Sequence, residues 1–315
     1  MVQNFAGFPE TGRGTRACVD FAVHAERAGF DSVWVTDHIV LPRERRALYP
    51  HNDSGTFPYS WQQDIHDPIV LLGALAQATQ RVDIGVAVLV IPYRHPLTTA
   101  KMLATADQLA EGRIVLGAGV GWLKDEFEAL GLPDEIFSHR GSVTEDFLRA
   151  MSEASTAKGA ASYEGKYVRF RDVGTHPRPA RTPHVPVWVG GKGDRALRRA
   201  VRLGDGYLAI SADPVVLRAE VSRVRAIATE EGRDPAELTV ALIDGVVVSR
   251  SPLGPQRSPL QGTAEQTLEG LHAFGEAGLQ HLVAGVRSAG DGSFAASVGA
   301  LDVVAAEVLP HLARR

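Results

Sequence analysis

Asp37 and His38 stand side by side at the end of a short apolar run, Gly29-Phe-Asp-Ser-Val-Trp-Val-Thr-Asp-His38. A carboxylate beside an imidazole can handle a proton near neutral pH. The run reads as a buried strand that delivers two ionisable groups to its C-terminal end, which in a parallel α/β protein is where chemistry is done. A hydrogen-bonded structural corner would use the same two residues. The segment that follows at once, Arg43 to Asp64 with Tyr49, Phe57, Tyr59 and Trp61 among Pro, Gly, Asn and Asp, favours a functional pair, because a long loop inside a compact domain is usually functional or disordered.

Two glycine clusters come next. Gly117, Gly119 and Gly121 alternate after the apolar Ile114 to Leu116, and Gly190, Gly191 and Gly193 follow the apolar Val185 to Val189 and precede a helical pattern. Backbone N–H groups at a helix N-terminus, with no Cβ in the way, make an anion site. Lys192 adds a positive charge in that loop. A tight strand-to-helix turn without a ligand is the plainer alternative. The run from Gly85 to Ile91 is wholly apolar and then turns abruptly to Pro92-Tyr93-Arg94-His95, which suits a wall for a flat ring system and equally a core strand followed by a loop. His95, His139, His176 and His184 have no spacing that gathers a zinc set. There is no Gly-x-Ser-x-Gly elbow, and the single Cys18 falls within a helical pattern rather than at a strand end.

The elements that must position these residues alternate. Apolar strand patterns occur at Ser32 to Thr36, Val82 to Ile91, Ile114 to Leu116, Val185 to Val189, Gly206 to Ile210, Leu238 to Val248 and Leu282 to Val286. Helical patterns lie at Pro68 to Thr79, Leu97 to Ala110, Arg140 to Ala154, Arg195 to Leu203, Pro214 to Glu230, Ala264 to Ala277 and Phe294 to Leu312. A further helix carries Ala17, Phe21, Ala25 and Ala28 and stops at Gly29. Nearly continuous apolar strands alternating with helices imply a parallel sheet covered by helices. An eighth strand would close a barrel, and Val2 to Phe5 is the candidate. A doubly wound open sheet is the competing architecture, but its glycine fingerprint after the first strand is missing. A hairpin is expected within Ala160 to Arg181, and both it and the aromatic loop are expected near a barrel mouth.

With 315 residues, 44% hydrophobic and 22% charged, the chain has the composition of a globular protein with a sizeable core. Residues 1–315 are expected to form one domain. The formal charge of −4 argues against nucleic acid or an anionic membrane as partner. No run approaches the roughly 18 apolar residues of a membrane span, and the start lacks a secretory pattern, so a cytoplasmic location is expected.

Taken in order, Gly-Phe-Asp-Ser-Val-Trp-Val-Thr-Asp-His, Ile-Gly-Val-Ala-Val-Leu-Val-Ile-Pro-Tyr-Arg-His-Pro, Glu-Gly-Arg-Ile-Val-Leu-Gly-Ala-Gly-Val-Gly-Trp and Pro-Val-Trp-Val-Gly-Gly, with Ala-Leu-Arg-Arg-Ala and Gly-Asp-Gly-Tyr, resemble the luciferase-like monooxygenase family. More narrowly they are similar to its branch that uses the deazaflavin coenzyme F420. The resemblance implies a (β/α)8 TIM barrel with loop insertions at its C-terminal mouth, a small-molecule substrate and a homodimer. It places Asp37 and His38 at the reactive edge of the ring, with His38 handling the proton. It maps a cis peptide behind the ring to Ala87 and Val88, the cofactor tail to Gly119, Val120 and Gly121, and the phosphate loop to Gly190, Gly191, Lys192 and Gly193. The first strand departs from the family pattern in being only a stub. Flavin mononucleotide (FMN) is the rival cofactor; Val120, where luciferase-type members often carry Arg, and the glycine-rich loop favour F420. Hydride transfer between F420 and a small organic substrate is the implied activity. An FMN-dependent monooxygenase or a non-catalytic flavin-binding protein is the alternative within the family, and a phosphate-handling aldolase or isomerase barrel the alternative outside it. That last reading wants a strand-end Lys or Glu, which none of the seven strand patterns supplies.

Overall fold

The computed structural model describes residues 9–50, 54–211 and 213–312. Helix α1 (Thr15–Arg27) leads to β1 (Ser32–Val35), α2 (Pro68–Ala78) to β2 (Asp83–Val90), and α3 (Pro96–Leu109) to β3 (Ile114–Gly119). Two short helices, α4 (Lys124–Ala129) and α5 (Asp134–Ser138), precede α6 (Arg140–Thr156). A hairpin of β4 (Ala161–Glu164) and β5 (Arg169–Val173) precedes β6 (Val187–Gly190). There follow α7 (Asp194–Leu203), β7 (Gly206–Ala209), α8 (Pro214–Glu230), β8 (Thr239–Val248), β9 (Gln261–Gly262), α9 (Ala264–Glu276), β10 (His281–Ser288) and α10 (Phe294–Glu307).

The main sheet runs β1-β2-β3-β6-β7-β8-β10, with β9 beside β8, and every pairing is parallel. Inward side chains form one apolar plug: Trp34, Ala87, Val115, Trp188, Leu208, Ala241 and Val283, with Val88 and Ile243 half-buried against it. Outward side chains such as Val33, Val35, Leu116, Val189 and Leu242 pack under the helices. Two apolar faces explain why the strands read as continuous hydrophobic runs. This is the (β/α)8 architecture. Among the described residues no ladder joins β1 to β10, although Ser32 Oγ lies 2.9 Å from His281 Nε2 and the Trp34, Trp188 and His281 rings pack together there. Val2 to Phe5, the expected first strand, lies outside the described residues.

Helix starts on the mouth side are chemically marked. Asp67 accepts from Ile69 N and Val70 N ahead of α2, Asp213 from Val215 N ahead of α8, and Thr263 forms a capping box with Gln266 on α9. Side-chain acceptors there satisfy N–H groups that the helix cannot.

The β2–β3 register contains a bulge. Val86 pairs with Leu116 and Leu89 with Ala118, so Ala87 and Val88 together oppose Gly117, and both join the inward plug. The Ala87–Val88 peptide is cis, as the family resemblance implied. Gly117 and Gly119 belong to β3 itself and not to a loop after it. A Cβ at Gly117 would lie 2.3 Å from Val86 O, so that glycine makes room for the bulge.

Two further expectations are refined. The hairpin lies along α6 as well as toward the mouth: Tyr163 OH and Tyr167 N both donate to Asp146, in the second turn of α6. The chain then returns along α3, where Gln108 Nε2 donates to Arg178 O and Arg181 N to Asp107. The segment Phe294–His311 is also long and apolar enough, by mean hydropathy, to cross a membrane, although scattered polar residues interrupt its apolar run. It packs through Ser297, Ala300, Leu301 and Val304.

Candidate active site

His38 lies just beyond β1, buried, and its carboxylate partner is Glu126. His38 Nδ1–H donates to Glu126 Oε2 at 2.6 Å. The same carboxylate accepts from Tyr93 OH at 2.9 Å, and its Oε1 accepts from Ile39 N and Val40 N at 2.7 and 3.2 Å. Glu126 is completely buried, so four donors replace the water its charge has lost. A proton held on Nδ1 by Glu126 leaves the lone pair of the neutral ring on Nε2. Burial and Glu126 push the Tyr93 phenol well above its ordinary range, which keeps Tyr93 a donor.

Asp37 is therefore not the partner of His38. Its Oδ2 accepts from Arg94 Nη1 at 2.7 Å and Val90 N at 2.9 Å, and its Oδ1 from Arg94 Nη2 at 2.9 Å. Arg94 also reaches Asp67 at 3.1 Å. Burial pushes the Asp37 carboxyl up against the opposing pull of Arg94. Burial likewise works against the Arg94 charge, but Asp37 and Asp67 outweigh it and hold its pKa up. The pair ties the end of β1 to the end of β2.

Above His38 the loop after β1 folds into an aromatic roof. Phe57 is 5.2 Å from the His38 ring, and Phe57, Tyr49 and Trp122 stand 5.1–5.3 Å apart in edge-on or tilted contacts, with Tyr59 5.3 Å from Phe57. Adjacent carboxylates of α4 hold this loop. Glu126 takes residues 38–40, and Asp125 accepts from Arg46 N, Ala47 N and Arg46 Nε.

The floor is bare. Alternation along each strand puts Gly119, Gly190, Gly245 and Gly285 two residues beyond Gly117, Trp188, Ile243 and Val283, facing inward; Gly119 and Gly190 end β3 and β6, whereas β8 and β10 run three residues further. A Cβ at Gly119 or Gly190 would meet Val88, at 2.3 and 3.0 Å, whereas a Cβ at Gly245 meets nothing within 4 Å and one at Gly285 only ordinary contacts at 3.8 Å. Half-buried Val88 and Ile243 therefore form an apolar shelf with open space over β8 and β10, which fits a large flat ring. Val120 is half-buried at the end of β3. Gly121, at φ +78°, has its carbonyl held by Arg140 Nε.

Gly190, Gly191, Lys192 and Gly193 form the turn into α7, with Gly193 at φ +79° as N-cap and Tyr207 OH donating to Gly191 O at 3.1 Å. Lys192 and Gly193 are exposed, and the first turn of α7 presents N–H groups beside them, which fits a phosphate. Glu220 of α8 stands near Lys192; burial raises its pKa, opposed by the Tyr207 hydroxyl and by Lys192. At Gly191, φ is +138° and a Cβ would lie 2.9 Å from Ala196 Cβ. That glycine serves the turn first.

The sequence thus named His38, Ala87–Val88 and the glycine turn, and did not name Glu126, Trp122 or the contacts that Tyr93 and Arg94 make with Glu126 and Asp37. The abrupt Tyr93-Arg94 after an apolar strand was a signal. Glu126 had none, because α4 is too short to show a period.

The family profile described as luciferase-like monooxygenase matches residues 2–252, and the chain belongs to that family. An uncharacterized protein of Mycobacterium tuberculosis is 33% identical over 220 residues, 69% of this chain and 76% of its own length. The F420-dependent glucose-6-phosphate dehydrogenase of Amycolatopsis mediterranei is 29% identical over 235 residues, 74% and 64% of the two chains. The FMNH(2)-dependent dimethylsulfone monooxygenase of Pseudomonas putida is 33% identical over 167 residues, 53% and 46%. Among solved structures, the monooxygenase RslO1 from Streptomyces bottropensis superposes with a TM-score of 0.78 at 20% identity, covering 98% of each chain. An F420-dependent secondary alcohol dehydrogenase bound to an F420-acetone adduct gives 0.74 at 20% identity, covering 93% and 94%. These structural likenesses speak for the fold.

Proposed function

We propose that this protein is an oxidoreductase that transfers a hydride between coenzyme F420 and a small organic substrate. The observation that carries the proposal is the His38–Glu126 pair, buried beneath an aromatic roof and beside a glycine-bare apolar shelf. F420 supplies a hydride donor or acceptor with little reactivity toward oxygen. Val88 and the inward glycines would receive its ring, Gly119, Val120 and Gly121 its tail, and the turn from Gly190 to Gly193 with Lys192 its phosphate. His38 accepts or returns the substrate proton at Nε2. Glu126 fixes the tautomer and compensates the charge when His38 is protonated. Asp37 acts only through Arg94, by holding the strand ends in register. F420 over FMN is supported by the wider span of this chain that aligns with the F420-dependent relative and by an aliphatic Val120. The same reading takes the protein as a cytoplasmic homodimer, for which the exposed Val70 on the apolar helix α2 offers a surface; sedimentation tests the dimer.

Titration of the purified apoprotein with F420 and with FMN, followed by fluorescence, tests the cofactor. Tight binding of F420 and weak binding of FMN is the expected result, and the reverse order refutes the F420 assignment. His38→Ala should leave F420 affinity intact and lower turnover by about 10²-fold or more; unchanged turnover refutes the role of His38.

A further inference from the structure

Arg287 carries an inference about the charge of the substrate, one that rests on the oxidoreductase reading of this site. It follows Val283 and Gly285 on the inward side of β10, in register with Val247 of β8, and it is exposed. It therefore stands at the mouth, above the open space that Gly245 and Gly285 leave. Its charge reaches the roof. Burial pushes the Tyr59 phenol up, and Arg287 pulls against that rise. Burial and then Tyr59 push the Tyr49 phenol up, so the two hydroxyls share one corner with the guanidinium. Both phenols keep their protons and can donate.

Other cations of the roof and its supports are committed within the protein. Arg43 lies over the Trp61 ring and Arg45 over Phe57. Arg46 pairs with Asp125 and Glu128, and Arg94 with Asp37 and Asp67. Among the described residues no carboxylate lies within ion-pair distance of Arg287. A guanidinium fork at the edge of an apolar space, with two O–H donors beside it and no internal counter-charge, suits an oxyanion, which it can hold by two parallel bonds.

That oxyanion is distinct from a phosphate bound at Gly190 to Gly193. The glycine turn ends β6, and β7 and β8 stand between it and β10. At roughly 4.8 Å per strand spacing, the two places lie about 14 Å apart around the sheet, too far for one phosphate to meet both. On its other side β10 faces β1, where His281 meets Ser32 and Trp34. Phe57 packs on both His38 and Tyr59, so the corner at Arg287 is one ring away from His38.

We propose that Arg287, with the Tyr49 and Tyr59 hydroxyls, binds an oxyanion group of the substrate, a carboxylate or a phosphate ester, and so sets which part of the molecule lies beside His38. The substrate class is then an organic anion, and Arg287 is its specificity-determining residue.

The test uses 2-naphthoate, 2-naphthyl phosphate and the neutral 2-naphthamide, which share a ring system, by calorimetry on the protein with and without F420. At least one anion should bind tenfold or more tightly than the amide, and the tighter of the two identifies the group as carboxylate or phosphate. Arg287→Gln should abolish that advantage while leaving amide and F420 affinities unchanged, and Arg287→Lys should restore part of it, since charge returns without the fork. Tyr59→Phe should weaken the anion severalfold and spare the amide. An amide that binds as tightly as both anions overturns the proposal, as does an anion preference that survives Arg287→Gln. A fall in F420 affinity in Arg287→Gln also overturns it, by giving the arginine to the cofactor. Failure of the native protein to bind F420, with the anion preference intact, refutes the cofactor assignment alone and supports the anion site.

Discussion

Replacing Glu126 by Gln isolates the group that aims His38. The amide keeps the shape of the carboxylate but offers one accepting oxygen and one donating nitrogen. If its oxygen keeps Ile39 N and Val40 N, at 2.7 and 3.2 Å in the native protein, its nitrogen faces His38 Nδ1 and the Tyr93 hydroxyl, both donors to the carboxylate now. His38 must then move its proton to Nε2 to accept at Nδ1, and the lone pair that takes the substrate proton is lost. A hydrogen bond to a charged group contributes about 1.5–3 kcal/mol, so turnover should fall roughly 10- to 150-fold. F420 affinity should not change, because no atom of Glu126 faces the shelf. The assay is kcat by absorbance of the coenzyme, with circular dichroism as the control for folding. A double variant sharpens it: groups that act as one unit are not additive, so Glu126→Gln in a His38→Ala background should cost nothing further. Native turnover in Glu126→Gln, or fully additive losses, would refute the dyad.

Other perturbations reach the scaffold. Arg94→Ala leaves the Asp37 carboxylate buried without its cation, and urea unfolding should show a loss of about 3–5 kcal/mol; a loss below about 1 kcal/mol would mean the pair holds nothing. Gly119→Ala places a Cβ 2.3 Å from Val88 Cγ2 and should destabilise by about 1–3 kcal/mol, a penalty that Val88→Ala in the same chain should relieve. Burial and the Asp146 carboxylate push the Tyr163 hydroxyl up to about 12, and Tyr93 and Tyr207 are pushed up as well. Folded tyrosines thus keep protons that unfolded ones lose near 10. Their contribution is complete below that pH and lost as pH rises through the folded values, so the calorimetric Tm should fall between pH 10 and 12; a flat Tm contradicts the assignment. Cys18 is fully buried and its thiol is pushed up to about 11, so iodoacetamide at about pH 8 should label it only after unfolding.

How much of this was legible depends on the length of the signal. Pro214–Glu230 reads directly from its proline start and long apolar period, and each main strand that the sequence marked is present within a few residues of its expected limits. Those elements are specified by their own periodicity. Glu126 was invisible because α4 spans six residues and its carboxylate meets His38 across 88 positions of chain. Asp37 misled for a related reason: adjacency to His38 in sequence suggested a pair, but neighbouring residues at a strand end point to opposite sides. Its cation, Arg94, lies 57 positions away. The hairpin was legible but its anchor was not, since nothing in Tyr163 to Phe170 indicates that Asp146 will hold it against α6.

The four glycines of the shelf divide the rim into two regimes of mutational tolerance. Gly119 and Gly190 are compelled by Val88, so purifying pressure on them comes from folding whatever the protein binds. Gly245 and Gly285, paired in register on β8 and β10, are free of that obligation, because a methyl group at either would clash with nothing in the chain. A residue added there leaves the barrel indifferent and narrows only the room for a guest. Drift at those two positions therefore changes ligand size without first crossing a stability threshold, which makes that side of the mouth the cheap route by which one scaffold acquires a new specificity.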